Sequence, residues 1–136
     1  MMATFALELV TPERLLFSEE VQTVQAPGVD GSFGVLKGHA AMLTELRVGL
    51  IKLTLTSGLD AYIATGGGYM QVGKEKAIIL AESAELSEEI DVERARATAD
   101  NARKLLEVPD GEIDAEEVRL ELDRALNRIR IAQMRK

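Results

Sequence analysis

Apolar and polar positions alternate along the first two thirds of the chain and recur every three or four residues along the last third. Over residues 4–10, Phe5, Leu7 and Leu9 fall on one face, the period of a half-buried strand. Residues 14–26 are strand material around the acidic pair Glu19-Glu20, with Val21 and Val24 flanking Gln22-Thr23. Further short strands are predicted at residues 42–46, 48–56, 59–65, 69–72 and 77–81. Pro27-Gly28-Val29-Asp30-Gly31 is a turn by composition, and Ser57-Gly58 and Gly73-Lys74-Glu75-Lys76 are hairpin turns. Short strands between regularly spaced turn signals suggest a sandwich or flattened barrel.

Near Ser87 the pattern changes. Ten of the eleven glycines, two of the three prolines and all five aromatics precede it, and Ala/Glu/Arg-rich segments follow, broken once by Pro109-Asp110-Gly111. A first helix is predicted over about residues 91–107, with Val92, Ala95, Ala99, Ala102 and Leu106 on one stripe. A second opens at Asp114, with Glu117 at the capping-box position, and carries Val118, Leu122, Ala125, Ile129 and Ala132 as its stripe. Two thin stripes joined by a short turn pack as an antiparallel pair. The expected fold is therefore β + α: a flattened β-sandwich or barrel of short antiparallel strands (residues 1–87), then an antiparallel two-helix hairpin (residues 88–136). Helices of this length draw most of their stability from packing, so the hairpin is expected to be able to leave its dock.

Composition narrows the chemistry. There is no cysteine and a single histidine, His39, which excludes disulfides, thiolate metal sites and histidine-rich clusters. No apolar run approaches the roughly 20 residues that span a bilayer, and no signal peptide opens the chain, so a soluble, cytoplasmic protein is expected. A net charge of −7 without tryptophan argues against nucleic acid. The charge is uneven, however. From Arg119 to Lys136, six basic residues face only Glu121 and Asp123, a local +4. Part of that complements the helix dipole, and part suits an acidic partner surface.

No constellation amounts to an active site. Gly66-Gly67-Gly68 lacks the Lys-Ser/Thr ending of a phosphate-binding loop and is expected to be a structural turn. His39 has no Ser, Cys or Asp at motif spacing and reads as a turn or interface histidine. Glu19-Glu20 and Glu88-Glu89 are adjacent carboxylates whose side chains point apart.

The stretch Gly31 to Leu46, G-S-F-G-V-L-K-G-H-A-A-M-L-T-E-L, together with Val10-Thr11-Pro12, Phe17-Ser18-x-x-Val21, Gly66-Gly67-x-x-x-Gln71-Val72 and Ile90-Asp91-x-x-x-Ala95, resembles the epsilon subunits of F-type ATP synthases. The resemblance runs in register over residues 5–134. It implies a non-catalytic rotor subunit of the central stalk, peripheral on the cytoplasmic face of the bacterial inner membrane or on a thylakoid membrane. It touches the membrane only through its complex. Its β part would bind the γ subunit and the ring of c subunits, with Ser32 and His39 at matching contact positions. Its hairpin would inhibit ATP hydrolysis, with Arg124, Arg128, Arg130 and Arg135 meeting an acidic segment of a catalytic β subunit in the α/β head. Ile90-Asp91-Val92-Glu93-Arg94-Ala95 also matches the motif with which some members bind regulatory ATP. In that register Glu85, Asp91, Arg94, Arg124 and Arg128 would hold the nucleotide. Three positions depart from the pattern. Ser32 stands where some members are acidic, Lys37 replaces the usual proline, and Asn101 replaces a nucleotide-binding arginine. The alternative is a free-standing module whose Arg-rich hairpin closes over a nucleotide, and Asp91 and Arg94 have a plain alternative as helix cap and first-turn residue.

Overall fold

The structure is a computed structural model and describes residues 3–108 and 114–134. Seven strands and two helices follow one another: β1 (Phe5–Val10), β2 (Leu15–Gly28), β3 (Gly31–Val35), β4 (Met42–Leu55), β5 (Asp60–Val72), β6 (Lys76–Ala81), β7 (Ala84–Leu86), α1 (Val92–Leu106) and α2 (Ala115–Ala132). A 3₁₀ turn, Ser87–Glu89, links the two parts. The strands hydrogen-bond in the order β1-β6-β5-β4-β2-β3, β7 pairs with β5, and β1 also pairs with β2.

The long strands serve both layers of a flattened barrel. The first half of β2 pairs with β1 (Leu7↔Glu19), whereas its second half pairs with β4 and β3 (Val24↔Leu53, Val24↔Val35). Alternation then sends one set of side chains inward. Leu7, Leu9, Val21, Val24, Ile51, Leu53, Ile63, Met70 and Ile79 are all fully buried in one core.

Four sequence expectations change here. Residues 42–46 and 48–56 are one strand, β4, and residues 59–65 and 69–72 are one strand, β5. The glycine triplet accordingly does not turn the chain. It lies inside β5, opposite a ladder that passes from Leu46↔Gly68 to Val48↔Gly66 and skips a residue on each strand. Gly67 and Gly68 have φ of 99° and 144°, which lets the strand bend from one layer to the other without ending. The turn expected at 27–31 shrinks to Val29-Asp30, because Pro27 and Gly28 still pair with Ser32 and Gly31. Strand β7 and the 3₁₀ turn are too short to show a period.

The helices begin where their caps lie. Asp91 Oδ1 accepts from the Arg94 amide at 3.1 Å, and Asp114 Oδ1 accepts from the amides of Glu116 and Glu117. Ala95, Ala99 and Ala102 of α1 and Val118, Ala125 and Ala132 of α2 are buried along the expected stripes. The Pro109-Asp110-Gly111 break lies outside the described residues. Among the described residues, no helix is long and apolar enough to cross a membrane.

Candidate functional site

The helical hairpin sits on the outer face of β4 and β5, and α2 makes that contact with a second stripe. Residues 124, 127, 128 and 131 recur at steps of three, one and three, and so share a helix face beside the one that meets α1. Its apolar part is small. Ile131 and Ala132 meet Ala64 and Ile90, with Leu50, Tyr62, Val92 and Met134 at the margin.

The rest of the dock is polar. Asn127 is 7% exposed, and its Nδ2 donates to the Gly49 carbonyl at 2.8 Å and reaches the Thr65 carbonyl at 3.4 Å. Gly49 and Thr65 are partners across the β4–β5 ladder, so one side-chain amide ties α2 to both strands. Its Oδ1 accepts from Arg130 Nη2 at 2.7 Å. Arg124 Nε donates to the Gly66 carbonyl at 3.1 Å. A Cβ at Gly66 would collide with Ser83 Oγ and stand 2.9 Å from Arg124 Nε, so a larger residue there must displace both side chains from the seam. Arg128 Nε is 2.6 Å from Glu85 Oε1, and both side chains are about one-third exposed (29% and 34%).

Beside this seam lies a cleft of about 740 Å³. Glu85, Asp91, Arg94, Arg124 and Arg128, the five residues that the resemblance assigns to a nucleotide, all line it. Asn101 does not. The cleft is not simply cationic: Glu13, Glu82, Glu89, Glu117 and Glu121 also line it, and Arg14 pairs with Glu89 at 3.2 Å. Asp91 already caps α1, and Arg124 and Arg128 already hold the dock. The Nε contacts of Arg124 and Arg128 leave their Nη donors for a phosphate chain in the docked form, and Arg94 has no carboxylate partner among the described residues.

The other assigned residues are scattered. Ser32 is exposed on β3, paired with Pro27 near the Val29-Asp30 turn. His39 lies past the opposite end of β3, with Nδ1 2.8 Å from the Ala40 carbonyl and its amide donating to Leu36 O. The next residue back, Gly38, donates to Lys74 O, so this loop rests on the β5–β6 turn, and the structure does not bring Ser32 and His39 together. Arg130 is exposed and held by Asn127, and Arg135 lies outside the described residues. The acidic pairs are structural: Glu20 accepts from Thr4 Oγ1, and Glu89 pairs with Arg14.

Sequence reasoning missed Asn127 and Ser83, and gave Gly66 no part in the dock. The available signal was the second row at 124, 127, 128 and 131. Three of its four members are polar, so hydrophobic periodicity does not see it. An apolar strip was also missed. Tyr69 of β5 and Leu80 of β6 are direct cross-strand partners, and Leu43 of β4 lies diagonal to Tyr69 on the same outer face. They are 52%, 57% and 72% exposed.

The chain is similar to known proteins over nearly its whole length. Residues 4–87 match the family model for the ATP synthase delta/epsilon chain beta-sandwich domain. Residues 88–133 match the model for the long alpha-helix domain of the same chain. The ATP synthase epsilon chain of Syntrophomonas wolfei is 41% identical over 131 residues, 96% of each chain. That of Desulforamulus reducens is 40% identical over 133 residues, 98% of this chain and all of the relative. A chain in a cryo-EM structure of the Euglena gracilis mitochondrial ATP synthase (OSCP/F1/c-ring) superposes with a TM-score of 0.81 at 22% identity, over 99% of this chain and 84% of that one, and so shares the fold. Two family models meeting at residue 88 and relatives about 40% identical end to end leave one assignment: the chain belongs to the ATP synthase delta/epsilon chain family, as a non-catalytic subunit.

Proposed function

We propose that this chain is the epsilon subunit of a bacterial-type, proton-translocating ATP synthase, turning with the central stalk at the cytoplasmic face of the membrane. Its sandwich binds the γ subunit and the c-ring, and its hairpin regulates ATP hydrolysis. The observation that carries the partner reading is the Leu43–Tyr69–Leu80 strip. Three large apolar side chains side by side on an outer sheet face are what a permanent protein partner covers. The loop bearing Leu36 and His39 and the turn at Val29 offer further exposed apolar positions for the ring. In a pull-down from membranes, tagged chain should retain γ and c subunits, and Tyr69→Ser with Leu80→Ser should lose γ. Retention of γ by the double variant overturns this assignment of the surface.

The regulatory reading rests on the dock. Its apolar contact is small and its polar contacts come largely from α2, so release frees Arg124 and Arg128 for an acidic segment of a catalytic β subunit. The same arginines thus favour both positions of the hairpin. Replacing them by alanine removes attraction in both states, which makes truncation the cleaner test. A complex carrying residues 1–87 alone should hydrolyse ATP faster than the parent complex. An unchanged rate sinks the regulatory reading.

The convergence of five motif residues on one cleft supports a second reading, ATP bound as a regulator of the docked form. Titration calorimetry should then show binding that Arg94→Gln removes. Absence of heat up to about 1 mM ATP, a free energy of about −4 kcal/mol, leaves Asp91 and Arg94 as helix cap and first-turn residue only.

A further inference from the structure

A second cavity opens on the seam between α2 and the sheet, and it shares no lining residue with the acidic cleft. Its volume is about 430 Å³, within the range of small-ligand sites. Arg47 and Lys52 of β4 and Arg130 of α2 line it, with Phe33 and Leu50 among its apolar residues. Among the described residues, not one aspartate or glutamate does, in a chain whose net charge is −7.

The two arginines are held by uncharged acceptors. Arg47 Nε donates to the Gly28 carbonyl at 3.3 Å, and Arg130 Nη2 donates to Asn127 Oδ1 at 2.7 Å. Both acceptors are uncharged. Each guanidinium keeps further N–H donors in a fixed fork. Among the described residues Lys52 pairs with Asp60, at 3.8 Å, and that carboxylate does not line the cavity. Preorganised guanidinium groups beside an ammonium, above an apolar wall, suit a phosphoryl group on a small organic body.

We propose that this groove binds a small phosphorylated anion, and that the anion favours the docked hairpin. The coupling follows from where the cations come from. Two belong to the sandwich and one to the hairpin, so the full site exists only when the two parts are together. A ligand that binds the docked form alone stabilises it by mass action.

Inorganic diphosphate is the probe, titrated into the full-length chain by calorimetry. Binding at one site is expected. Arg47→Gln and Arg130→Gln, surface changes whose folding circular dichroism confirms, should each weaken it about tenfold, which is about 1.4 kcal/mol. Arg96→Gln, an exposed change on α1 that lines neither cavity, should leave it unchanged. Diphosphate at roughly ten times its Kd should slow amide exchange through undocking in α2 by about tenfold and leave β1 unaffected. Vesicles of phosphatidylglycerol form a second arm. If they displace diphosphate, the natural phosphoryl group is a lipid headgroup; if they do not, it is a free solute. The groove is retained in either case. Absence of binding to both probes overturns the proposal, and so does binding that Arg94→Gln abolishes while Arg47→Gln and Arg130→Gln do not.

Discussion

The sandwich and the hairpin are held by different kinds of contact. The sandwich buries whole branched side chains, with Leu7, Leu9, Ile51, Leu53, Ile63 and Ile79 each at 0% exposure. Helix α1 buries alanines, and α2 brings to the sheet a single large, fully buried apolar side chain, Ile131, with Asn127, Arg124 and Arg128 around it. Burying a full branched side chain contributes about 1.5–3 kcal/mol, whereas a typical hydrogen bond contributes about 0.5–1.5 kcal/mol net. One part is thus built to stay folded, and the other to stay in place only while its polar partners match. The hairpin is attached by polar matching more than by burial.

The sharpest way to break this comparison is in the core. Leu53→Ala, fully buried between the layers, should cost about 2–5 kcal/mol and lower the urea midpoint of the whole molecule. If the loss appears only in the hairpin, the sandwich is not the stable part. Truncation after Ser87 asks the reverse question. The remaining strands contain every member of the main core, so residues 1–87 should keep a β-type circular dichroism spectrum and a cooperative melt. An unfolded fragment makes the hairpin part of the sandwich's own stability.

Asn127→Ala should act on the dock alone. It leaves the Gly49 carbonyl without its donor and should cost about 1–3 kcal/mol there. Hydrogen exchange should quicken in α2 and stay unchanged in β1 and β6. Equal quickening in both parts makes the two a single cooperative unit. The smallest effect belongs to Arg14–Glu89, which joins the β1–β2 turn to the 3₁₀ turn with side chains 51% and 45% exposed. Glu89→Gln should change stability by at most about 1 kcal/mol, and by less in high salt. A larger loss makes this bridge a second latch.

Much of this was legible in the residues. Alternation marked β1 and β6, and stripes and caps marked both helices, because those signals are local: a strand's faces and a helix's first turn lie within a few residues of one another. The bend inside β5 was not legible as a bend. Three consecutive glycines look the same whether the chain reverses or only leans, and the pairing of Leu46 with Gly68 and of Val48 with Gly66 decides between them. The candidate nucleotide residues were legible as a motif, and their meeting around one cleft needed the fold. The carboxylates of Glu82, Glu117 and Glu121 on the same walls gave no sign of the cleft, since nothing in their spacing relates them to Arg94.

By itself, then, the sequence determined a β part followed by a helical hairpin, and the family. Periodicity, caps and quoted motifs all reside in short windows of chain. Only the tertiary structure decided what Arg124, Asn127 and Arg128 do. A polar residue on a helix has no preferred partner until a surface is placed against it. Here the bent β5 presents the Gly66 and Thr65 carbonyls and β7 presents Glu85, and so the row that hydrophobic patterning overlooks becomes the one that joins the two parts.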